Sequence, residues 1–293
     1  MAKKKLNKKR APGKKEESWL SPRVFLLLAA IFLIAQTLGL MVANALIAQN
    51  LAQPMFGDDI NDLSNAIYLF GTILAMTVVI LIAIRFRRKS NFLWLIEGLA
   101  VFTTSTIVVG VLMPAQIAAI IPFYDLLAAI AIVAWRYTHR ESVAFRNFVS
   151  VIAIAGAGSL IGVSLGLLPI VLFIAILSVY DIIAVFGTKH MVALGRAVTK
   201  RNFAFTVSLP SKKHTFELGN GDLVIPLITA SSILANGPFV NNYFVASLCL
   251  GASFIGLVLS IYTVSIKKIP MPALPPQTLL MLAVIGAAMM LGL

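Results

Sequence analysis

The chain of 293 residues is 59% hydrophobic and only 12% charged, with a mean hydropathy of +0.94. A soluble domain carries about 25% charged residues, so both a soluble globular enzyme and a disordered chain are excluded. The net charge of +13 would indicate a nucleic-acid partner in a soluble protein, but here the placement of the charges decides its meaning.

Residues 1–23 form a basic, polar arm, which we expect to lie against anionic lipid headgroups rather than to bind nucleic acid. Nine apolar stretches follow, and their continuous character favours helices over the alternating strands of a membrane barrel. They are 24–48, 63–84, 92–113, 115–135, 148–166, 169–186, 222–235, 243–265 and 277–293. The sequence therefore predicts an all-α polytopic membrane protein with nine transmembrane helices.

The stretches divide the chain into regions. Residues 24–186 are predicted to form transmembrane helices one to six, 187–221 a cytoplasmic loop, and 222–293 helices seven to nine. The third and fourth stretches are separated only by Pro114, so a tight turn is required there, because one continuous helix would exceed the bilayer thickness. Gly158, Gly162 and Gly166 recur at four-residue spacing in the fifth stretch and predict close helix packing.

Basic residues predict the orientation of the chain. All 24 Lys and Arg residues lie in the arm or after the second, fourth, sixth and eighth stretches, whereas the alternate loops carry none. By the positive-inside rule the N-terminus is cytoplasmic and the C-terminus extracellular, which requires an odd number of spans. We expect an integral protein of the cell membrane whose basic loops contact anionic lipid headgroups.

Four of the 11 acidic residues lie in or at the edge of the apolar stretches, namely Glu97, Asp125, Asp181 and Asp222. A carboxylate in hydrocarbon costs roughly 2.5–3.5 kcal/mol on insertion scales, so each is a functional candidate. Counting about 1.5 Å per residue from the outer helix ends puts Asp181 and Asp222 at similar depths, roughly 9–12 Å below the cytoplasmic surface. Glu97 and Asp125 are expected to serve packing or hydration.

Asp222 follows Gly219, Asn220 and Gly221. Glycines can interrupt a helix and allow another chain to approach the backbone. Non-helical backbone at membrane depth is tolerated only where it lines a cavity or is buried in protein. The sequence therefore predicts a water-filled cavity open to the cytoplasm, with Asp222 on its wall.

Two neighbouring carboxylates cannot both ionise, so they share a proton. One can then act as base on a water while the other protonates or polarises a carbonyl, which is aspartic-protease chemistry and needs no metal or cofactor. None of His139, His190 and His214 lies in an apolar stretch, and no His/Cys cluster has metal-ligand spacing. Three interpretations stay open from the residues alone: an aspartate-pair protease, a proton- or cation-coupled transporter or leak, and separate packing aspartates.

Three motifs together resemble the presenilin and signal peptide peptidase family. Tyr180-Asp181 resembles its YD motif, Gly219-Asn220-Gly221-Asp222 matches its GxGD motif, and Pro272-Ala273-Leu274-Pro275 matches its PAL motif. All three occur in the expected order and position of a nine-span chain. The resemblance implies an intramembrane aspartyl protease, in a form similar to microbial presenilin-like members.

Site roles follow from this resemblance. Asp181 and Asp222 would be the catalytic pair. The active site would be shaped by Tyr180, Gly219, Asn220 and Gly221. The substrate would be positioned by Pro272, Ala273, Leu274 and Pro275. Single-span transmembrane segments or signal peptides would be the substrates, and the small chain implies that accessory subunits are not required.

The loop before Asp222 has its own pattern. Phe203, Phe205, Val207 and Leu209 alternate with small or polar residues, which is typical of a strand. A turn at 210–213 and a return over 215–218 predict a small hairpin whose exposed edge could add an extended substrate segment. Residues 188–200 are expected to form an amphipathic interfacial helix.

Overall fold

The structure, a computed structural model, describes residues 22–86, 91–188, 203–210, 215–267 and 271–293. The basic arm up to residue 21 and nearly all of the predicted interfacial helix lie outside these residues. The helices are α1 (Pro22–Ala48), α2 (Ser64–Phe86), α3 (Asn91–Leu112), α4 (Ala115–Ile120), α5 (Tyr124–Thr138), α6 (Val143–Val163), α7 (Leu167–Ile182), α8 (Gly221–Asn236), α9 (Asn242–Lys267) and α10 (Leu274–Leu291). A π-helical turn (Ile183–Thr188) continues α7, and two strands, β1 (Thr206–Pro210) and β2 (Thr215–Gly219), precede α8.

Within the described residues, seven helices are long and apolar enough to cross a membrane: α1, α2, α3, α6, α7 with its π-helical turn, α9 and α10. The shorter α8 is also apolar. This architecture is that of a polytopic helical membrane protein, with one β-hairpin added to it.

The fourth predicted stretch, 115–135, is wrong as one continuous helix. It divides into α4 and α5. Pro122 disfavours helical geometry at the preceding residue, and Ile121 is indeed extended (φ −113°, ψ 105°). Phe123 then takes a left-handed conformation (φ 57°) and starts α5. The resulting 15-residue α5 is about 22 Å long, shorter than a hydrocarbon core of about 30 Å.

Helix α8 lies at the centre of the molecule. Its side chains are buried almost continuously from Leu223 to Leu234, where it packs among α1, α6, α7 and α9. The predicted small-residue contact is present on α6: a methyl group on Gly162 would lie 2.5 Å from the Ile228 carbonyl oxygen of α8. A methyl group on Gly158 would lie 2.7 Å from the Leu227 side chain. These glycines therefore let the two helix backbones approach closely.

A buried ion pair joins α3 to α5. Glu97 Oε1 and Arg136 Nε are 2.9 Å apart, and each side chain is only 2% exposed. Arg140 stacks on the Trp94 ring beside this pair, 4.5 Å from its centroid. Glu97 therefore has the packing role expected from the sequence. Arg136 and Arg146 lie inside helices rather than in the loop between them.

The hairpin forms an antiparallel ladder that pairs Thr206 with Gly219 and Pro210 with Thr215. Its apolar side is part of the core, since Val207 and Leu209 are fully buried against α1, α6 and α8. Phe203, just before β1, packs on Trp94 of α3 with ring centroids 5.0 Å apart. The hairpin is thus a packed element, and deleting it would also remove core contacts.

Candidate active site

Asp222 lies in the first turn of α8, directly after the hairpin. Only Asn220 separates the end of β2 from the start of α8. The Asn220 N–H donates to the Phe205 carbonyl (3.1 Å), and its Nδ2 donates to the Ala204 carbonyl (2.9 Å). These two hydrogen bonds attach the start of α8 to the base of the hairpin, so the hairpin position and the Asp222 position are linked.

Gly219 and Gly221 do not need glycine for backbone geometry, because neither has a positive φ. A methyl group on Gly221 would meet no atom within 4 Å, and one on Gly219 would lie 3.7 Å from Asp222 Oδ2. The close approach of another chain to these glycines stays a prediction. Within the described residues, their missing side chains leave open space beside the Asp222 carboxylate.

The first turn of α8 is also held from α1. The Gln36 side chain is only 3% exposed, and its Nε2 donates to the Leu223 carbonyl at 2.9 Å. Pro226 lies within the same helix and has no N–H to donate to the carbonyl four residues earlier, which is that of Asp222. Gln36 thus tethers the part of α8 where the helical hydrogen-bond ladder is interrupted.

Asp181 lies in the last turn of α7 and is 8% exposed. Its Oδ2 accepts a hydrogen bond from the Leu274 N–H at 3.3 Å. Leu274 is the first residue of α10, so the carboxylate lies at a helix N-terminus, where unpaired N–H groups favour a negative charge. The π-helical turn begins two residues after Asp181, and such turns are frequent at functional sites.

The segment 272–275 forms the start of α10. Pro272 is buried, Ala273 occupies the N-cap position, and Pro275 lies in the first turn, where a missing N–H is tolerated. Gln277 is fully buried and supports this segment: its Nε2 donates to the Ala273 carbonyl (3.2 Å), and its Oε1 accepts from Ser253 Oγ of α9 (2.8 Å).

The structure brings the predicted site residues together. Each aspartate carboxylate lies within electrostatic range of the other, and 273–274 lies against Asp181. The Tyr180 side chain lies within electrostatic range of Asp181, and its ring meets Phe70 of α2 edge-on at 5.6 Å. The water-filled cavity stays a prediction. A pair of carboxylates can supply both groups that acid–base hydrolysis uses, one that accepts a proton and one that donates it.

Several polar residues near the site were missed in the sequence. Gln36, Gln277 and Asn147 are neutral amides inside or at the end of apolar helices. Gln36 and Asn147 bond to the backbone of distant segments, and Gln277 bonds to the Ser253 side chain of α9 and to the Ala273 carbonyl at the start of its own helix. The available signal was their polarity, because an amide placed in an apolar helix is costly without a partner. Charge within the apolar stretches identified the acidic residues, but it gives no signal for these neutral amides.

Comparisons with known proteins agree with the geometry. A family profile described as "Signal-peptide peptidase, presenilin aspartyl protease" matches residues 29–287. A solved structure of a presenilin family intramembrane aspartate protease in a C222 crystal is 25% identical, with a TM-score of 0.67, and the match covers 91% of this chain and 98% of that one. A P2 crystal structure with the same description has 24% identity, a TM-score of 0.65, and coverage of 91% and 97%, which shows a shared fold. Among curated proteins none matches.

Proposed function

The chain belongs to the signal-peptide peptidase and presenilin aspartyl protease family, and from this premise we propose how it acts. It is an aspartic-type intramembrane endopeptidase and an integral multi-pass membrane protein. We propose that it hydrolyses peptide bonds within single transmembrane segments or signal peptides, with Asp181 and Asp222 as the catalytic pair. The observation that carries this proposal is the hydrogen bond from the Leu274 N–H to Asp181 at the end of α7. Asp222, in the first turn of α8, lies within electrostatic range of this carboxylate.

In the proposed mechanism the pair shares one proton. The Leu274 N–H favours the charged form of the Asp181 carboxylate, so Asp181 accepts a proton from the attacking water. Asp222 carries the shared proton and donates it toward the substrate carbonyl oxygen. After attack, Asp181 passes the proton it took from water to the amide nitrogen, and one hydroxyl of the gem-diol returns a proton to Asp222. The C–N bond then breaks, which yields a carboxylic acid and an amine and restores the pair with its one shared proton.

The membrane arrangement belongs to the same proposal. Counting the shorter α5 and α8 with the seven long helices gives nine spans, with the N-terminus in the cytoplasm and the C-terminus outside. The hairpin then lies at the cytoplasmic end of α8 beside Asp222. Its basic surroundings in the sequence would contact anionic lipid headgroups of the cell membrane. We propose that the chain works without accessory subunits.

Substrate capture would use the hairpin. A peptide bond inside a helix is shielded, so a transmembrane substrate must become extended before it is hydrolysed. An exposed strand edge supplies backbone N–H and C=O groups that can hold such an extended segment by β-strand addition. Tyr180 and residues 219–221 would shape the space around the pair, and residues 272–275 would help to position the substrate.

The purified chain in detergent, given a single-span peptide, tests the proposal. Asp181→Asn and Asp222→Asn should each lower the cleavage rate at least roughly 100-fold, because each removes one acid–base partner. Asp125→Asn is the matched control. It neutralises another intramembrane aspartate that also follows a tyrosine, but Asp125 lies in the first turn of α5 near Gly110.

The control variant should cleave at the rate of the parent chain. Equal cleavage by all three variants would exclude the proposed pair. If the parent chain did not cleave and instead carried an ion flux that both site variants lost, the protease proposal would fail in favour of transport.

A further inference from the structure

Side chains of α6 occupy the outer edge of β1. Asn147 Nδ2 donates to the Ser208 carbonyl at 2.7 Å, and Asn147 Oδ1 accepts from the Ser208 N–H at 2.8 Å. Ser150, three residues further along α6 and therefore on the same helix face, donates from Oγ to the Ala204 carbonyl at 3.2 Å. Side chains of α6 thus bond Ser208 within β1 and the Ala204 carbonyl just before β1.

The ladder register then identifies the other edge. Ser208 lies opposite Glu217. In an antiparallel pair, a residue whose N–H and C=O point away from the partner strand faces a residue with the same orientation. Because Asn147 takes both groups of Ser208, the N–H and C=O of Glu217 point to the outer side of β2. The edge of β2 is therefore directed away from α6.

The Glu217 side chain is held in place as well. Its Oε1 lies 2.9 Å from a guanidinium nitrogen of Arg146 and also accepts from Ser208 Oγ. Its Oε2 accepts from Thr206 Oγ1 at 2.7 Å. A register slip would separate Glu217 from both hydroxyl groups, so these contacts keep Glu217 opposite Ser208.

We infer that Asn147 and Ser150 are positioning residues for proteolysis, because they close the outer edge of β1 and so direct an extended substrate to the edge of β2 at Glu217. This inference rests on the proposed function. Since β2 leads through Asn220 to Asp222, a segment added there runs beside the catalytic pair. Closing β1 also prevents a substrate from pairing on the side of the hairpin that faces α6.

Asn147→Leu tests this inference, because leucine has the same branched shape and number of side-chain heavy atoms and makes neither hydrogen bond. We expect KM for a single-span peptide to rise roughly tenfold, with kcat nearly unchanged, as two backbone hydrogen bonds are lost. A shortened peptide that ends just beyond the cleavage site lacks the segment that would pair with β2. Its KM should not rise in the Asn147 variant. Exchange of the Ser208 amide hydrogen should become faster.

Asn236→Leu is the control. Its side-chain amide also donates to backbone carbonyls, those of Val163 and Leu165, but it lies at the far end of α8 from Asp222. It should leave KM and Ser208 exchange unchanged. If Asn147→Leu does not fold, Ser150→Ala removes one edge contact and should give a smaller rise in KM of the same kind.

Equal KM increases for the full and shortened peptides, or the same effect from Asn236→Leu, would overturn the inference. Unchanged Ser208 exchange in the Asn147 variant would also overturn it. A parent chain that cleaves neither peptide would contradict the proposed protease instead, and the exchange measurement would still decide whether Asn147 closes the edge of β1.

Discussion

At the scale of single residues, neutral polar groups support the two aspartates. The Asp181 carboxylate accepts a hydrogen bond from the Leu274 N–H. Gln277 donates to the carbonyl of Ala273, the residue just before Leu274. Gln36 donates to the Leu223 carbonyl in the first turn of α8, the helix that carries Asp222. In an apolar medium an unpaired amide or carbonyl is costly, so these contacts both stabilise the fold and limit where each carboxylate can lie.

Gln277→Leu should destabilise the protein and impair cleavage. The substitution leaves the Ala273 carbonyl without its side-chain donor and the Ser253 hydroxyl without its acceptor, which should lower the free energy of unfolding by about 1–3 kcal/mol. Thermal unfolding in detergent and the cleavage rate of a single-span peptide measure the two effects.

A second substitution separates the local network from general helix damage. Ser253→Ala combined with Gln277→Leu should cost less than the sum of the single changes, because both act on one hydrogen-bonded unit. Ser247→Ala on the same helix is the control, since its hydroxyl only bonds back to the Tyr243 carbonyl. Additive losses would contradict a shared network.

At the scale of secondary-structure elements, the contact between α6 and α8 positions the site. The glycines of α6 bring the two helix backbones together, while the N-terminal end of α6 holds the hairpin that leads into α8. One helix therefore supports α8, which carries Asp222, along its length and also at its start. Sequence spacing predicted the small-residue face, but it could not identify α8 as the partner.

Gly162→Ala tests this helix contact. The added methyl group would lie 2.5 Å from both the Ile228 carbonyl oxygen and the Ser231 Cβ, so α6 and α8 must separate. Overpacking of this kind costs about 1–3 kcal/mol. Gly251→Ala on α9 is the matched control, because a methyl group there meets no atom within 4 Å. Thermal unfolding should show a lower Tm for Gly162→Ala alone, and equal Tm values would rule out the contact as a source of stability.

The hairpin shows how far local patterns extend. Alternating apolar residues predicted strands near Asp222, and the structure contains them at 206–210 and 215–219. The same alternation could not reveal that α6 closes one edge, because Asn147 is 61 residues away from Ser208 in the chain. The break between α4 and α5 was missed for a different reason: hydropathy averages over a window, whereas the break depends on the backbone angles of two or three residues.

At the scale of the whole molecule, the number of membrane-spanning helices and the distribution of Lys and Arg between the loops both indicate the membrane topology. The described residues contain seven long apolar helices, and two shorter ones complete the proposed nine. An odd number of spans puts the two termini on opposite sides of the membrane. The clustering of Lys and Arg in alternate loops independently favours the same arrangement.

Single-cysteine labelling tests this topology. Cys249 is the only cysteine in the chain and is buried, so Cys249→Ala provides a background without thiols. Lys9→Cys should react with a membrane-impermeant maleimide only from the cytoplasmic side, and Leu293→Cys only from the outside. Labelling of both positions from the same side would contradict nine spans.

The sequence by itself determined that this protein lies in a lipid bilayer, and it identified the charged residues that are costly to place there. A chain that is 59% hydrophobic must lie in a bilayer, and a carboxylate there stands out because of its desolvation cost. Only the tertiary structure decided which groups meet these carboxylates and the helices that carry them. Asp181 and Leu274 are 93 residues apart, and Gln36 and Leu223 are 187 apart. Such contacts depend on how helices pack against each other, and local periodicity carries no information about that.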